Sequence, residues 1–255
     1  MDKDLIVYVL AHKMPPYGLI NDGWHIPLQV GVDLSEENVC ELKDNIGINI
    51  SKYNPFFCET TGHFWIWQNA EKSDFIGVEH YRRHFDLGKE EVLNILKDHD
   101  IIMPKPLLIS VSVEEQYEIC HIPEDIHAVE KIINKLYPEY SDDYVRYIKH
   151  GNKLYCANSY ITSWENFMKM NEFVFNILFE MWKFYGFTTI EDWHRHALES
   201  NKQLVPEYHT KNGCDWDIYQ LRIGGALAER LNTLYVLHNF NNIYERDFVT
   251  LGESV

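Results

Sequence analysis

NPFFCETTGHFWIWQNAEKSDFIGVEHYRRHF, residues 54–85, carries the densest chemistry in the chain. Phe56, Phe57, Phe64, Trp65 and Trp67 fall mostly at helical spacing, and Asn54 before Pro55 predicts a helix start with Asn as N-cap and Pro at the first helical position. After a turn over 69–74, Phe75, Ile76, Gly77 and Val78 form the short apolar run of a strand buried on both faces. One helix, one turn and one buried strand are therefore expected. The strand ends abruptly in Glu79, His80, Tyr81, Arg82, Arg83 and His84. In open α/β sheets ligands bind outside the carboxyl ends of the strands, so a polar cluster at that position marks a site. Adjacent arginines suit phosphate or carboxylate, because each guanidinium presents a planar fork of donors. The competing reading is a solvated basic turn or an ion pair with surplus acids. Direct emergence from a buried run favours the site.

Working outward, Leu5–Leu10 reads as a buried first strand that delivers Ala11, His12 and Lys13 to the same edge. Residues 14–54 lack periodicity, and a connection of that length is usually functional or holds short elements. Lys89–His99 predicts an amphipathic helix and Asp100–Met103 a strand closed by Pro104 and Pro106. This succession is the signature of a mostly parallel sheet flanked by helices, an α/β fold. Residues 113–150 read as a mainly helical insertion in a single domain spanning 1–255, with Ile126, Val129, Ile133 and Leu136 on one face. Leu154–Ile161 is a further strand interrupted by Asn158. Ser163 caps a helix to Tyr185 whose core face runs from Phe167 through Met170, Val174, Ile177 and Met181 to Phe184, with Gly186 as its stop.

His194, His196 and His209 invite a metal reading, but residues two apart do not share a helix face. A last helix over about 216–231 sets Leu221, Gly224, Ala228 and Leu231 on one stripe and Arg222, Gly225 and Glu229 beside it. Glycine within a helix costs about 1 kcal/mol relative to alanine, so something approaches closely there. Tight helix-to-sheet packing is expected for Gly224, and a ligand or buried ion pair competes with packing for Gly225.

With 23 Lys and Arg against 39 Asp and Glu the formal net charge is −16, which argues against nucleic acid as a partner and leaves room for a small anion where basic residues converge. Five cysteines without C-x-x-C spacing indicate neither a disulfide framework nor a thiolate zinc site, and a reducing cytosol is the expected compartment. Neither a secretory leader nor a membrane span is expected, with peripheral association through a partner at the inner face of the cell membrane as the alternative to a free cytoplasmic protein.

IVYVLAHK (6–13), IPLQVG (26–31), DNIGINIS (44–51), NPFFCETTGHFWIWQN (54–69) and FIGVEHYRRHF (75–85), then DIIMPKP (100–106), YCANSYI (155–161) and RIGGALAERL (222–231), match in order the hallmarks of one bacterial family. Nearly the whole chain thus resembles a group long catalogued as a domain of unknown function, found in capsule, exopolysaccharide and lipopolysaccharide gene clusters and grouped with the glycosyltransferases. Some of its members are associated with galactofuranosyl transfer. The resemblance implies a GT-A-like nucleotide-sugar transferase fold, a UDP-sugar donor and a glycan or lipid-linked sugar acceptor. It implies that the loop after the first strand lies beside the nucleotide base. The donor-binding candidates are Ala11, His12, Lys13, Asn54, Glu59, His80, Arg82, Arg83, Asn158 and Arg222. Asp217, at the start of the last helix, is the expected catalytic carboxylate and Glu229 its rival, with a structural charge on the helix dipole as the alternative for Asp217.

The triplets Asp2–Asp4, Asp98–Asp100 and Asp215–Asp217 do not end a buried strand, so no metal-carrying Asp-x-Asp is expected and the arginines hold the diphosphate. A divalent manganese or magnesium ion on Glu79 and His80 is the alternative. The competing function is a non-catalytic carbohydrate-binding or scaffold protein of a polysaccharide assembly complex.

Overall fold

The computed structural model describes residues 4–200 and 221–251. Its strands are β1 (Leu5–Ala11), β2 (His25–Gln29), β3 (Phe75–His80), β4 (Arg83–Phe85), β5 (Ile101–Pro104), β6 (Leu107–Leu108), β7 (Lys153–Leu154), β8 (Tyr160–Ser163), β9 (Ile243–Arg246) and β10 (Phe248–Thr250). Its helices are α1 (Asn54–Phe57), α2 (Thr60–Asn69), α3 (Lys89–Ile95), α4 (Val113–Cys120), α5 (Pro123–Leu136), α6 (Ser141–Tyr144), α7 (Trp164–Tyr185), α8 (Ile190–Ser200) and α9 (Ile223–Asn239).

The central sheet runs β2-β1-β3-β8-β5-β9, and β4 and β10 extend it beyond β3. Strand β8 is antiparallel to both its neighbours, and the other strands of this path run in one direction, so the sheet is mixed and mostly parallel. Because Val78 pairs with Tyr160, the amino end of β8 lies beside the carboxyl end of β3. The turn before β8 therefore shares an edge with the loops after β1 and β3.

Alternation along β1 explains its unbroken apolar run. Ile6, Tyr8 and Leu10 join the large core under α2, α5, α7 and α9, while Leu5 and Val7 join a second core with Val92 and Leu96 of the α3 segment. Helices thus cover both faces. Ser163 caps α7 as expected, its hydroxyl accepting from the Asn166 N–H at 3.2 Å, and Gly186 stops it at φ 71°.

Several expectations are corrected. The aromatic helix is two helices, because the chain breaks at Cys58 with φ 53° and ψ −137°, a conformation without a sequence signal in a non-glycine residue. Asn54 is inside α1 and Tyr53 precedes it, since a one-turn helix over Ser51–Tyr53 runs straight into it. The Asn54 amide instead closes the break, donating to the Cys58 carbonyl at 2.6 Å and to Thr61 Oγ1 at 3.1 Å. The expected strand Leu154–Ile161 is two strands in different sheets, with β7 pairing β6 in a side ribbon. Leu136 and Phe184 are exposed rather than core, lying at the ends of their helices. Helix α3 stops at Ile95, and α9 continues to Asn239. Among the described residues no helix is long and apolar enough to cross a membrane.

Candidate functional site

The β3–β4 hairpin is held from behind by Glu79. Its Oε1 accepts the Phe85 N–H at 2.8 Å, its Oε2 takes His84 Nδ1 at 2.9 Å, and His25 Nε2 lies 3.7 Å away. Successive strand residues face opposite sides, so with Glu79 committed to the hairpin, His80 lines the front. Glu79 and His80 therefore do not converge as a ligand pair. Burial, with help from Arg82 and Arg83, pushes the His80 pKa down to about 3 and keeps the ring neutral. Its Nδ1 accepts the Arg82 backbone N–H at 3.2 Å, which leaves the ring proton on Nε2 as a donor.

His80 and Arg82 line a cleft of about 400 Å³ together with His12, Lys13, Arg222 and Glu59. Asn54 and Tyr81 also reach it, while Ala11 is buried with Val9 and Val39 behind it. The Tyr81 ring is a platform: the Arg82 guanidinium lies 5.4 Å from its centroid, and the His12 ring meets it edge-on at 5.3 Å. The His12 pKa is lowered by burial first and then by Lys13, Arg222 and Arg82, so the permanent cations converge on one place. Among the described residues of this lining Glu59 is the acid.

A second cleft of about 200 Å³ continues from the first, sharing Cys58, Glu59 and Arg222 and adding His121, Gly225 and Glu229. The stripe expected on the last helix, Arg222, Gly225 and Glu229, is thus its wall. The glycines serve packing: a Cβ on Gly224 would overlap the Phe56 ring, and one on Gly225 would meet Cys58 Sγ at 3.0 Å. The close neighbour is the α1 break rather than the sheet. Arg222 Nε also donates to Cys58 Sγ at 3.3 Å.

Opposite α9 stands the turn before β8, where Ala157 and Asn158 both adopt left-handed backbone, φ 72° and 47°. Such residues persist only where surroundings over-determine them. The Ala157 N–H donates to Glu229 Oε1 at 2.6 Å. Asn158, buried, donates to Glu59 Oε1 at 2.9 Å and to the Gly225 carbonyl at 3.1 Å, and accepts from Asn232 Nδ2 at 2.9 Å. Glu229 Oε2 receives Arg230 Nη1 at 3.2 Å. The buried Arg230 is fixed over the Tyr117 ring and by the Ala226 carbonyl and Gln116. Burial, helped by Glu59, raises the Glu229 pKa against the pull of Arg230, the Ala157 N–H and Arg83. The result is a carboxylate of heightened basicity at the end of a cationic trench.

Arg83 does not line the larger cleft, although its charge is felt at His80 and Glu229. The two arginines therefore divide. Asp215, Asp217 and His209 lie outside the described residues. His196 Nε2 is engaged by the buried Asp125 at 3.0 Å. Sequence reasoning missed His121 and Arg230. The signal for Arg230, a charged residue where the apolar stripe of α9 calls for burial, is present but weak.

A family model described as a domain of unknown function, DUF4422, matches residues 6–197. The chain belongs to this family. Within the matched span fall the cleft residues up to Asn158, while Arg222 and Glu229 lie beyond it. Among curated proteins no sequence matches. The DUF4422 chain is similar in structure to one described as the WbbM bifunctional glycosyltransferase in its apo form, with a TM-score of 0.74 and 22% identity over 98% of this chain. It covers 46% of the WbbM chain, less than half. At that identity the likeness carries the fold.

Proposed function

We propose that this chain is a glycosyltransferase of GT-A-like architecture, moving a sugar from a nucleoside-diphosphate donor to a surface-polysaccharide or glycolipid acceptor. One observation carries the reading: Lys13, Arg82 and Arg222 line a single cleft at the carboxyl edge of the sheet in a chain whose net charge is −16. Cations gathered against the overall charge fit a diphosphate, and guanidinium forks suit its oxygens. The description of WbbM as a glycosyltransferase and the family hallmarks support the same class. The donor is UDP-activated in this reading, with His12 and Tyr81 beside the base. Residues 1–255 act as one domain, with the helical segment 113–150 as its insertion on the acceptor side. The reaction takes place in the cytoplasm at the inner face of the membrane.

Glu229 is the base. Its carboxylate takes the proton of the acceptor hydroxyl, the acceptor oxygen bonds the anomeric carbon, and the sugar–phosphate bond breaks on the opposite face. UDP leaves with the electron pair, its charge met by Arg82 and Arg222. A positioned base contributes about 10²–10⁴ in rate. In this reading the cations of the cleft carry the diphosphate, and Glu79 and His80, which face opposite sides of β3, do not pair as ligands for manganese or magnesium.

The test is release of UDP from a panel of UDP-sugars mixed with short glycan acceptors, compared between wild type and Glu229→Gln. Turnover in the wild type that the variant loses supports the assignment. A protein that binds glycans with no nucleotide dependence is the non-catalytic binding protein instead.

A further inference from the structure

Glu229 also lines a third groove, of about 310 Å³, which shares His121, Ala226 and Glu229 with the second cleft and no lining residue with the larger, cationic one. Its far wall is the side ribbon: Leu107, Leu108, Ile109 and Leu154. Leu107 and Leu108 are 59% and 76% exposed, a pair of adjacent leucines left to solvent at the rim of a cavity that also holds a carboxylate. Single exposed apolar residues are ordinary, but an apolar pair continuous with a reactive site marks a ligand face.

The wall is preformed. The Ile109 N–H donates to the Asn152 carbonyl at 2.9 Å and the Asn152 amide to the Ile109 carbonyl at 3.1 Å. Lys153 Nζ and the Tyr155 hydroxyl both reach Glu245 Oε1 at 2.6 Å, tying β7 to β9. Near Glu229 the groove is polar, with His121, Gln116 and the buried Arg230. Away from it the groove is hydrocarbon.

Resting on the transferase reading, we infer that this groove is the acceptor subsite and that it takes a glycoside with an apolar aglycone. The sugar hydroxyl sits at Glu229, and the hydrocarbon lies along Leu107, Leu108, Ile109 and Leu154. A free glycan would engage the polar half and leave the two leucines solvated. An amphiphile covers both halves, and its polarity runs in the same direction as that of the groove.

The experiment measures binding of methyl and octyl β-D-glucopyranosides and galactopyranosides by calorimetry, below the micelle concentration, in the presence of UDP. Wild type is compared with a Leu107→Ser/Leu108→Ser double variant, whose melting temperature shows that it is folded. Leu108→Lys alone replaces it if the double variant unfolds. The octyl glycoside of at least one sugar should bind wild type at least about tenfold tighter than its methyl counterpart, a gain that burial of two methylenes supplies. The variant should lose most of that gain. Equal binding of methyl and octyl forms to the wild type, or an octyl gain the variant retains, overturns the inference. A concentration-dependent dimer that the variant abolishes also overturns it, because a second copy would then cover the leucines. Absence of UDP binding is a different failure: it removes the donor reading and leaves the alkyl comparison readable.

Discussion

Replacing Asn158 with Ala removes the side chain that joins three parts of the site. The amide donates to Glu59 at 2.9 Å and to the Gly225 carbonyl at 3.1 Å, and its oxygen accepts from Asn232 at 2.9 Å. The bond to a carboxylate contributes about 1.5–3 kcal/mol and each of the other two about 0.5–1.5 kcal/mol. Alanine is also less tolerant of the left-handed backbone at φ 47°, where Asn is at home, a further cost of about 1 kcal/mol. The bonds to Asn232 and to the Gly225 carbonyl are buried, whereas Glu59 borders the second cleft and can be partly resolvated, which places the sum at the low end of its range. A loss of about 4 kcal/mol in unfolding free energy follows from these contributions. Urea denaturation of wild type and variant reads it. In a double-mutant cycle with Glu59→Gln, the Asn158–Glu59 bond should appear as a coupling of about 1–2 kcal/mol. A loss below about 1 kcal/mol would show that the turn is held by other contacts and would sink this account of the network.

Further expectations concern protons. The Glu229 carboxyl titrates above the ordinary glutamate value of 4.5, so the acid limb of kcat/KM should have its midpoint above that value, and Arg230→Met, which removes the strongest opposing charge, should move it higher. An unshifted limb in Arg230→Met argues that another group is the base. His63 is fully buried with its pKa pushed to about 3 by desolvation, against 6.5 for an ordinary histidine. Between those values the unfolded chain holds a proton the native ring refuses, so stability is full above the unfolded pKa and falls as pH drops. From pH 7 to 5 the loss is about 2 kcal/mol. In His63→Gln the difference in unfolding free energy between pH 7 and pH 5 should shrink by that amount, and an unchanged difference would contradict it.

Much of the fold was legible because burial on both faces leaves the middle of a strand apolar. The runs of β1, β3 and β5 read directly, as did α7 between Ser163 and Gly186. The break at Cys58 was not legible, since its left-handed backbone is imposed by the Asn54 amide and by the approach of α9 rather than by the residue itself. The same holds for Ala157, whose φ of 72° comes from a turn held by Glu229 and Asn158. At the site, the stripe of Arg222, Gly225 and Glu229 followed from helical periodicity. Glu79, read as part of the polar cluster, is a brace because strand alternation turns it behind His80. The apolar wall at Leu107 and Leu108 and the buried Arg230 come from tertiary approach between segments far apart in the chain, and no local pattern announces it.

The central claim is that the cations of the larger cleft hold a nucleoside diphosphate. Isothermal titration of UDP into wild type, Arg82→Ala and Arg83→Ala, each in chelator and in excess manganese, tests it most directly. The account predicts that wild type binds UDP in chelator and that Arg82→Ala binds about tenfold to a hundredfold more weakly. Arg83→Ala, outside the cleft lining, should bind within about threefold of wild type. Binding abolished by chelator while Arg82→Ala binds normally would contradict the account and make this a metal site.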